Sequence, residues 1–169
     1  VGFRYGAVSF IEGDRLTHYG EADGLPTSTV FRFAQDHDGT LWAATFTGLV
    51  RLHGNRWERL RPQWKFPGRQ ARTVFVDAAG TVWTATEQGV AFLRRGQSAF
   101  ERVDASVGRI SQIAQAPDGG LWIAESDGHV RQLPLDGKTP AASVLSRPSA
   151  GLLFDRDGPL WATTSGGGG

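Results

Sequence analysis

The chain of 169 residues has no cysteine and no methionine, and only two of its eighteen cationic side chains are lysines. Without cysteine there are no disulfide staples, no thiolate zinc sites and no cysteine nucleophile. No sign of charge predominates either. Eighteen Lys+Arg face seventeen Asp+Glu for a formal net charge of +1, so no global basic field exists to gather phosphates, and nucleic acid is not expected as a partner. No apolar run approaches the roughly 18 residues of a membrane span, and this region is expected to make no membrane contact of its own. Amphipathic helical stripes are missing too. What is present is ordinary globular composition, 40% hydrophobic and 21% charged, with an excess of chain-turning residues. Twenty-three Gly and eight Pro point to many short strands joined by tight turns.

Those strands come in copies. Asp38-Gly39-Thr40-Leu41-Trp42 returns as Ala79-Gly80-Thr81-Val82-Trp83, as Asp118-Gly119-Gly120-Leu121-Trp122 and as Asp157-Gly158-Pro159-Leu160-Trp161, with tryptophan spacings of 41, 39 and 39. Six residues after each tryptophan stands a glycine, Gly48, Gly89, Gly128 or Gly167, and Gly6 fits the same grid. Six residues before it stands Asp36, Asp77, Ala116 or Asp155. A unit of this length with four strand-like runs (29–35, 40–45, 49–52 and 56–60 in the first full copy; 73–77, 81–86, 90–94 and 99–103 in the second) has the arithmetic of a propeller blade. The expected fold is therefore all-β: an arc of about three full four-stranded blades plus two half blades. The expected limits are a half blade at 1–19, blades at 29–60, 72–103 and 109–145, and a half blade at 149–169. Both ends read as those of an excerpt. Either the two halves meet to complete a fourth blade or, as preferred here, the arc belongs to a larger ring that hides its strand edges.

The run Asp36-His37-Asp38-Gly39-Thr40-Leu41-Trp42-Ala43-Ala44-Thr45, followed by Gly48-Leu49-Val50-Arg51-Leu52, resembles the two-component regulator propeller repeat. Glu21-Ala22-Asp23-Gly24-Leu25-Pro26 resembles that family's connector between blades. Departures are visible: Ala44, Ala85, Ala124 and Thr163 replace a usual Gly, Ala116 a usual Asp, and Glu125 a usual Thr. The resemblance implies a fragment of a seven-bladed ring in a periplasmic sensor, with a histidine kinase or diguanylate cyclase elsewhere in the polypeptide. It implies a small-molecule ligand of carbohydrate or anionic character, and the remaining blades of the same chain as partners. No cofactor, metal or catalytic residue is expected.

Candidate chemistry divides by position. Trp42, Trp83, Trp122 and Trp161 could stack on sugars, but their fixed place in each repeat favours burial between blades. The Asp-x-Asp-Gly pairs suggest calcium, yet lack the further carboxylates of a calcium loop, and Asp38 and Asp157 are expected to hold turns instead. His18, His37, His53 and His129 form no visible acid–base grouping, although a streptogramin-lyase-like enzyme stays open as an alternative, as does a protein-interaction ring. Two places suit a ligand. From Arg51 to Arg72 six Arg and one Lys face Glu58 alone, and the connector carries Trp64 and Phe66 outside the repeat grid. Trp64, Lys65, Phe66, Arg69 and Arg72 are therefore candidate ligand residues, acting by stacking and charge-assisted hydrogen bonds. The bland reading is a solvated loop paired with the acidic segment 12–38. The repeat grid also places Arg32, Thr73, Gln112 and Gly151 in equivalent innermost positions. Arg32 and Gln112 could there present donors to a ligand or bond to one another.

Overall fold

A computed structural model of the chain describes residues 7–103, 107–135, 142–146 and 149–164. The repeat positions Gly6 and Gly167, and part of the connector at 104–108, lie outside the described residues. Three four-stranded antiparallel sheets follow one another along the chain. The first holds β3 (Val30–Gln35), β4 (Leu41–Thr45), β5 (Gly48–His53) and β6 (Arg56–Arg59). The second holds β7 (Thr73–Val76), β8 (Val82–Thr86), β9 (Gly89–Leu93) and β10 (Glu101–Arg102). The third holds β11 (Ile110–Gln115), β12 (Leu121–Glu125), β13 (His129–Gln132) and β14 (Leu145–Ser146). A hairpin precedes them, β1 (Val8–Glu12) with β2 (Arg15–Tyr19), and another follows, β15 (Ser149–Phe154) with β16 (Leu160–Thr164). The first strands of successive sheets stack in turn, β3 on β7, β7 on β11 and β11 on β15. They form the inner edge of a β-propeller arc.

Period-2 alternation explains how one strand serves two neighbours. Trp42 and Ala44 of β4 face the second blade, where they meet Ala71, Val74, Ala91 and Phe100. Ala43 between them faces the opposite way, onto Val8 and Trp57. Trp83 repeats the pattern against Ile110 and Ile123 of the third blade, and Trp122 meets Leu152 and Phe154. Trp42, Trp83 and Trp122 thus each pack on the blade after their own. The expectation that all four repeat tryptophans are core holds for two of them. Trp42 and Trp83 are 3% and 6% exposed, Trp122 is half-buried, and Trp161 is 63% exposed.

The turn before each tryptophan is held by the acid six residues upstream. Asp36 Oδ1 accepts the backbone N–H groups of Asp38 (3.0 Å) and Thr40 (2.9 Å), and its Oδ2 accepts the Trp42 indole N–H at 2.8 Å. Asp77 does the same for Ala79, Thr81 and Trp83 (indole bond 2.7 Å). Asp155 does so for Asp157 and Trp161. Asp38 and Asp157 are therefore not the turn holders expected of them. Asp38 points to the next blade and pairs with Arg95. In the third blade, where Ala116 removes the upstream carboxylate, Asp118 takes over part of the task by accepting the Gly120 N–H at 2.9 Å.

Two other departures have local causes. Single 3-10 turns form at Glu21–Asp23 and Pro62–Trp64, each closed by a residue in the left-handed region, Gly24 (φ 87°) and Lys65 (φ 48°). The run 99–103 is regular strand only at Glu101–Arg102; the Val103 N–H still donates to the Val90 carbonyl at 2.9 Å, while the Phe100 N–H turns out of the ladder to the Trp64 carbonyl at 2.7 Å.

Candidate functional site

The innermost strands are irregular where they face the axis. Register shifts interrupt β3 between Val30 and Arg32, β11 between Ile110 and Gln112, and β15 between Ser149 and Gly151. Such bulges re-aim side chains, and here they bring Arg32 and Gln112 together across the intervening blade. Arg32 Nη2 donates to Gln112 Oε1 at 3.2 Å, while Gln112 Nε2 donates to the Leu152 carbonyl at 2.8 Å. Between them Thr73 is wholly buried, its Oγ1 without a partner. Gly151 fits where a side chain would be crowded, since a Cβ there would stand 3.0 Å from Thr163 Oγ1. Arg32 and Gln112 thus bond to one another rather than standing free.

The connector 61–72 is pinned at several points. Trp64 inserts between two blades, with its ring edge-on to Trp42 (6.1 Å between centroids) and the Arg51 guanidinium 4.6 Å over its face. Phe66 packs edge-on against Phe100 at 5.5 Å. The Ala71 N–H donates to the Thr45 carbonyl (3.0 Å) and the Arg72 N–H to the Ala85 carbonyl (2.8 Å). Glu87, on the turn after β8, accepts the N–H groups of Arg69 (2.6 Å) and Gln70 (3.1 Å). Gly68 (φ 100°) permits that contact, because a Cβ there would lie 2.8 Å from Glu87 Oε2. Burial raises the Glu87 carboxyl, but the N–H groups of Arg69, Gln70 and Glu87 itself, with the Arg69 charge, outweigh it and hold the group below its ordinary value.

This pinned loop walls a cleft of about 300 Å³. Its floor is apolar, from Leu49 and Phe66, and its rim carries Arg59, Arg61, Lys65 and Arg69. No carboxylate lines it. Among the described residues, ion pairs join Arg51 to Glu58, Arg94 to Glu101, Arg95 to Asp38 and Arg131 to Glu125. None involves a rim cation, so the acidic segment 12–38 does not neutralise this loop.

The sequence candidates are thus divided. Lys65, Phe66 and Arg69 share the cleft. Trp64 lines a separate recess with Arg51 and Gln63, and Arg72 turns toward the inner strands, 6.0 Å over the Phe31 ring. Arg32 and Gln112 form the axial pair. Sequence reading passed over Arg59 and Arg61, which stood inside the counted positive charge but outside the connector's aromatic core. It also passed over Glu125, fully buried in the third blade, where it binds Arg131 (2.8 Å) and the Gly108 N–H and leaves Oε2 unpartnered. The histidines stay apart: His18 shares a hydrogen bond with Ser9 (2.9 Å) and His129 lies 4.0 Å from Asp127. Among the described residues, no group of three or more His, Cys, Asp or Glu is placed to hold a metal ion, and no helix is long and apolar enough to cross a membrane.

The sequence model of the two component regulator propeller family matches residues 24–47. No curated protein matches the chain. Among solved structures, it is similar to the extracellular domain described for the hybrid two component system BT3049 of B. thetaiotaomicron. Identity there is 23% and the TM-score 0.68, over 90% of this chain and 22% of that one. The extracellular domain described for the one component system BT4673 of the same organism is 17% identical, with a TM-score of 0.74 over 89% and 22% of the two chains. Virginiamycin B lyase from Staphylococcus aureus is also 17% identical, with a TM-score of 0.70 over 95% and 57%. The chain therefore spans about a fifth of the length of those two extracellular domains, and at these identities the likeness shows a shared propeller fold.

Proposed function

Since residues 24–47 match the two component regulator propeller model, we propose that this chain is part of an extracytoplasmic propeller that reads a small molecule for a bacterial signalling protein and leaves it unchanged. The single observation that carries the reading is the pinned connector 61–72, which holds unpaired cations around an apolar floor. A site built on a rigid ring but supplied by a loop is the usual way propellers gain function. The likeness to extracellular domains described for a hybrid two component system and a one component system supports a place outside the cytoplasm. On this reading an output module, a histidine kinase or a diguanylate cyclase making cyclic-di-GMP, lies elsewhere in the polypeptide.

The likeness to virginiamycin B lyase favours a second reading, a propeller enzyme. Lyase chemistry needs a group that moves a proton near neutral pH. Arginine, threonine, glutamine and glycine occupy the equivalent inner positions here, and the cleft rim is arginine and lysine. Thermal-shift screening against neutral and anionic sugars, with mass spectrometry of the recovered compound, separates the two. The sensory reading expects a raised melting temperature and an unaltered ligand; catalytic turnover of the compound would overturn it.

A further inference from the structure

The cleft beside the connector specifies its ligand more narrowly than the fold does. We propose that Arg59, Arg61, Lys65 and Arg69 bind a small molecule carrying a tetrahedral oxyanion, a phosphate or sulfate monoester, whose body lies on Leu49 and Phe66. This assignment deepens the sensory reading and rests on it.

Four observations converge. The four cations come from two elements, the end of β6 and the connector, yet line one cleft of about 300 Å³. All four side chains are exposed, and among the described residues none is spent on an ion pair or a hydrogen bond. Their mutual repulsion is small in water, but four free cations around one cavity give an entering anion several donors at once and relieve that repulsion. The neighbouring carboxylate, Glu87, stands behind Gly68 with its oxygens engaged by the Arg69 and Gln70 N–H groups. It sets the loop's position rather than neutralising the rim, although its charge moderates the field at Arg69.

The chemistry of the rim selects the class of anion. Three guanidiniums offer planar forks that fit two oxygens at a time, and a lysine adds a point charge. A tetrahedral oxyanion presents three terminal oxygens, enough to meet more than one fork; a single carboxylate presents two. The apolar floor of Leu49, Leu60 and Phe66 would be wasted on inorganic phosphate alone and suits the less polar face of a sugar ring or another compact body. Lys65 is held for this task by its backbone. It is the non-glycine residue of positive φ among those described, fixed at 48° by the N–H bond from Lys65 to the Pro62 carbonyl.

The test is isothermal titration of the chain with glucose 6-phosphate, glucose 6-sulfate, inorganic phosphate and glucose. It compares wild type, the Arg59→Ala/Arg69→Ala double variant and Arg102→Ala, an exposed arginine outside the cleft, with melting temperatures recorded for each. The proposal expects an ester to bind, with affinity falling as salt rises. The double variant should lose roughly tenfold or more with an unchanged melting temperature, and Arg102→Ala should lose nothing. The phosphate and sulfate arms distinguish the two sources of the oxyanion. Equal affinity in wild type and double variant, or no binding of either ester, would overturn the assignment. Preferential binding of glucose would overturn it too, while leaving the sensory reading intact. Ester binding at the cleft, with conversion of the ester to product, would uphold the site and remove the sensory reading instead.

Discussion

At the residue scale, the recurring unit is a carboxylate that joins a turn to a tryptophan. Asp36, Asp77 and Asp155 each accept a backbone donor and an indole N–H, so one side chain fixes both the hairpin and the rotamer of the residue that seals the next blade. Asp77 is buried, and its removal strands several donors. Asp77→Ala should cost about 1–3 kcal/mol in chemical denaturation. The third blade offers the reverse experiment, because Ala116 occupies the position of the missing acid. Ala116→Asp should restore an acceptor for Trp122 and stabilise by about 0.5–1.5 kcal/mol, and a loss of stability would contradict the role given to this position. Glu87 supplies a pH test. Its folded carboxyl lies below the ordinary 4.5, so the stability it adds is fully present above that value and is lost as pH falls through the folded value. Asp38 behaves alike below 3.8, since hydrogen bonding to Arg95 holds it down. Melting temperature should therefore fall less steeply on acidification in Glu87→Gln than in wild type. The acid–tryptophan spacing was legible in the sequence, but the bond was not, because a six-residue offset across a turn has no periodic signature.

At the scale of elements, strand positions followed from alternation and glycine punctuation to within a residue or two for most runs. The exceptions arise where a tertiary contact outbids the ladder. Phe100 is drawn to Trp64, and bulges in β3, β11 and β15 interrupt the pairing that simple alternation would continue. The connector before the first full blade carries a sharper constraint than its motif suggested. Gly24 is in the left-handed region at φ 87°, and a Cβ on it would lie 2.1 Å from the Trp57 carbonyl oxygen. The next residue, Leu25, is buried beside Trp57, so the connector cannot back away. Gly24→Ala should cost about 3 kcal/mol or more, read as a fallen midpoint of denaturation. Gly39→Ala, at a similar φ but with nothing within 4 Å, should cost only about 1 kcal/mol.

At the scale of the molecule, the repeat tryptophans Trp42, Trp83 and Trp122 make one-directional contacts, each covering the face of the blade that follows. Trp83→Ala should cost roughly 3–5 kcal/mol, whereas Trp161→Ala, at a position 63% exposed, should change stability by no more than about 0.5 kcal/mol. These differences in burial were hidden in the sequence, where all four repeat tryptophans look alike. The site was half legible. Composition located the basic connector and its aromatics, but Trp64 and Arg72 serve the packing of blades, and Arg59 and Arg61 reach the cleft through a fold that brings the end of β6 beside the loop. The most direct measurement of the account is a two-dimensional 1H–15N spectrum of the chain titrated with glucose 6-phosphate. Amide shifts confined to Thr47–Leu49 and Arg59–Arg69 are predicted; shifts centred on Arg32, Thr73 and Gln112, or none at saturating ligand, would contradict it.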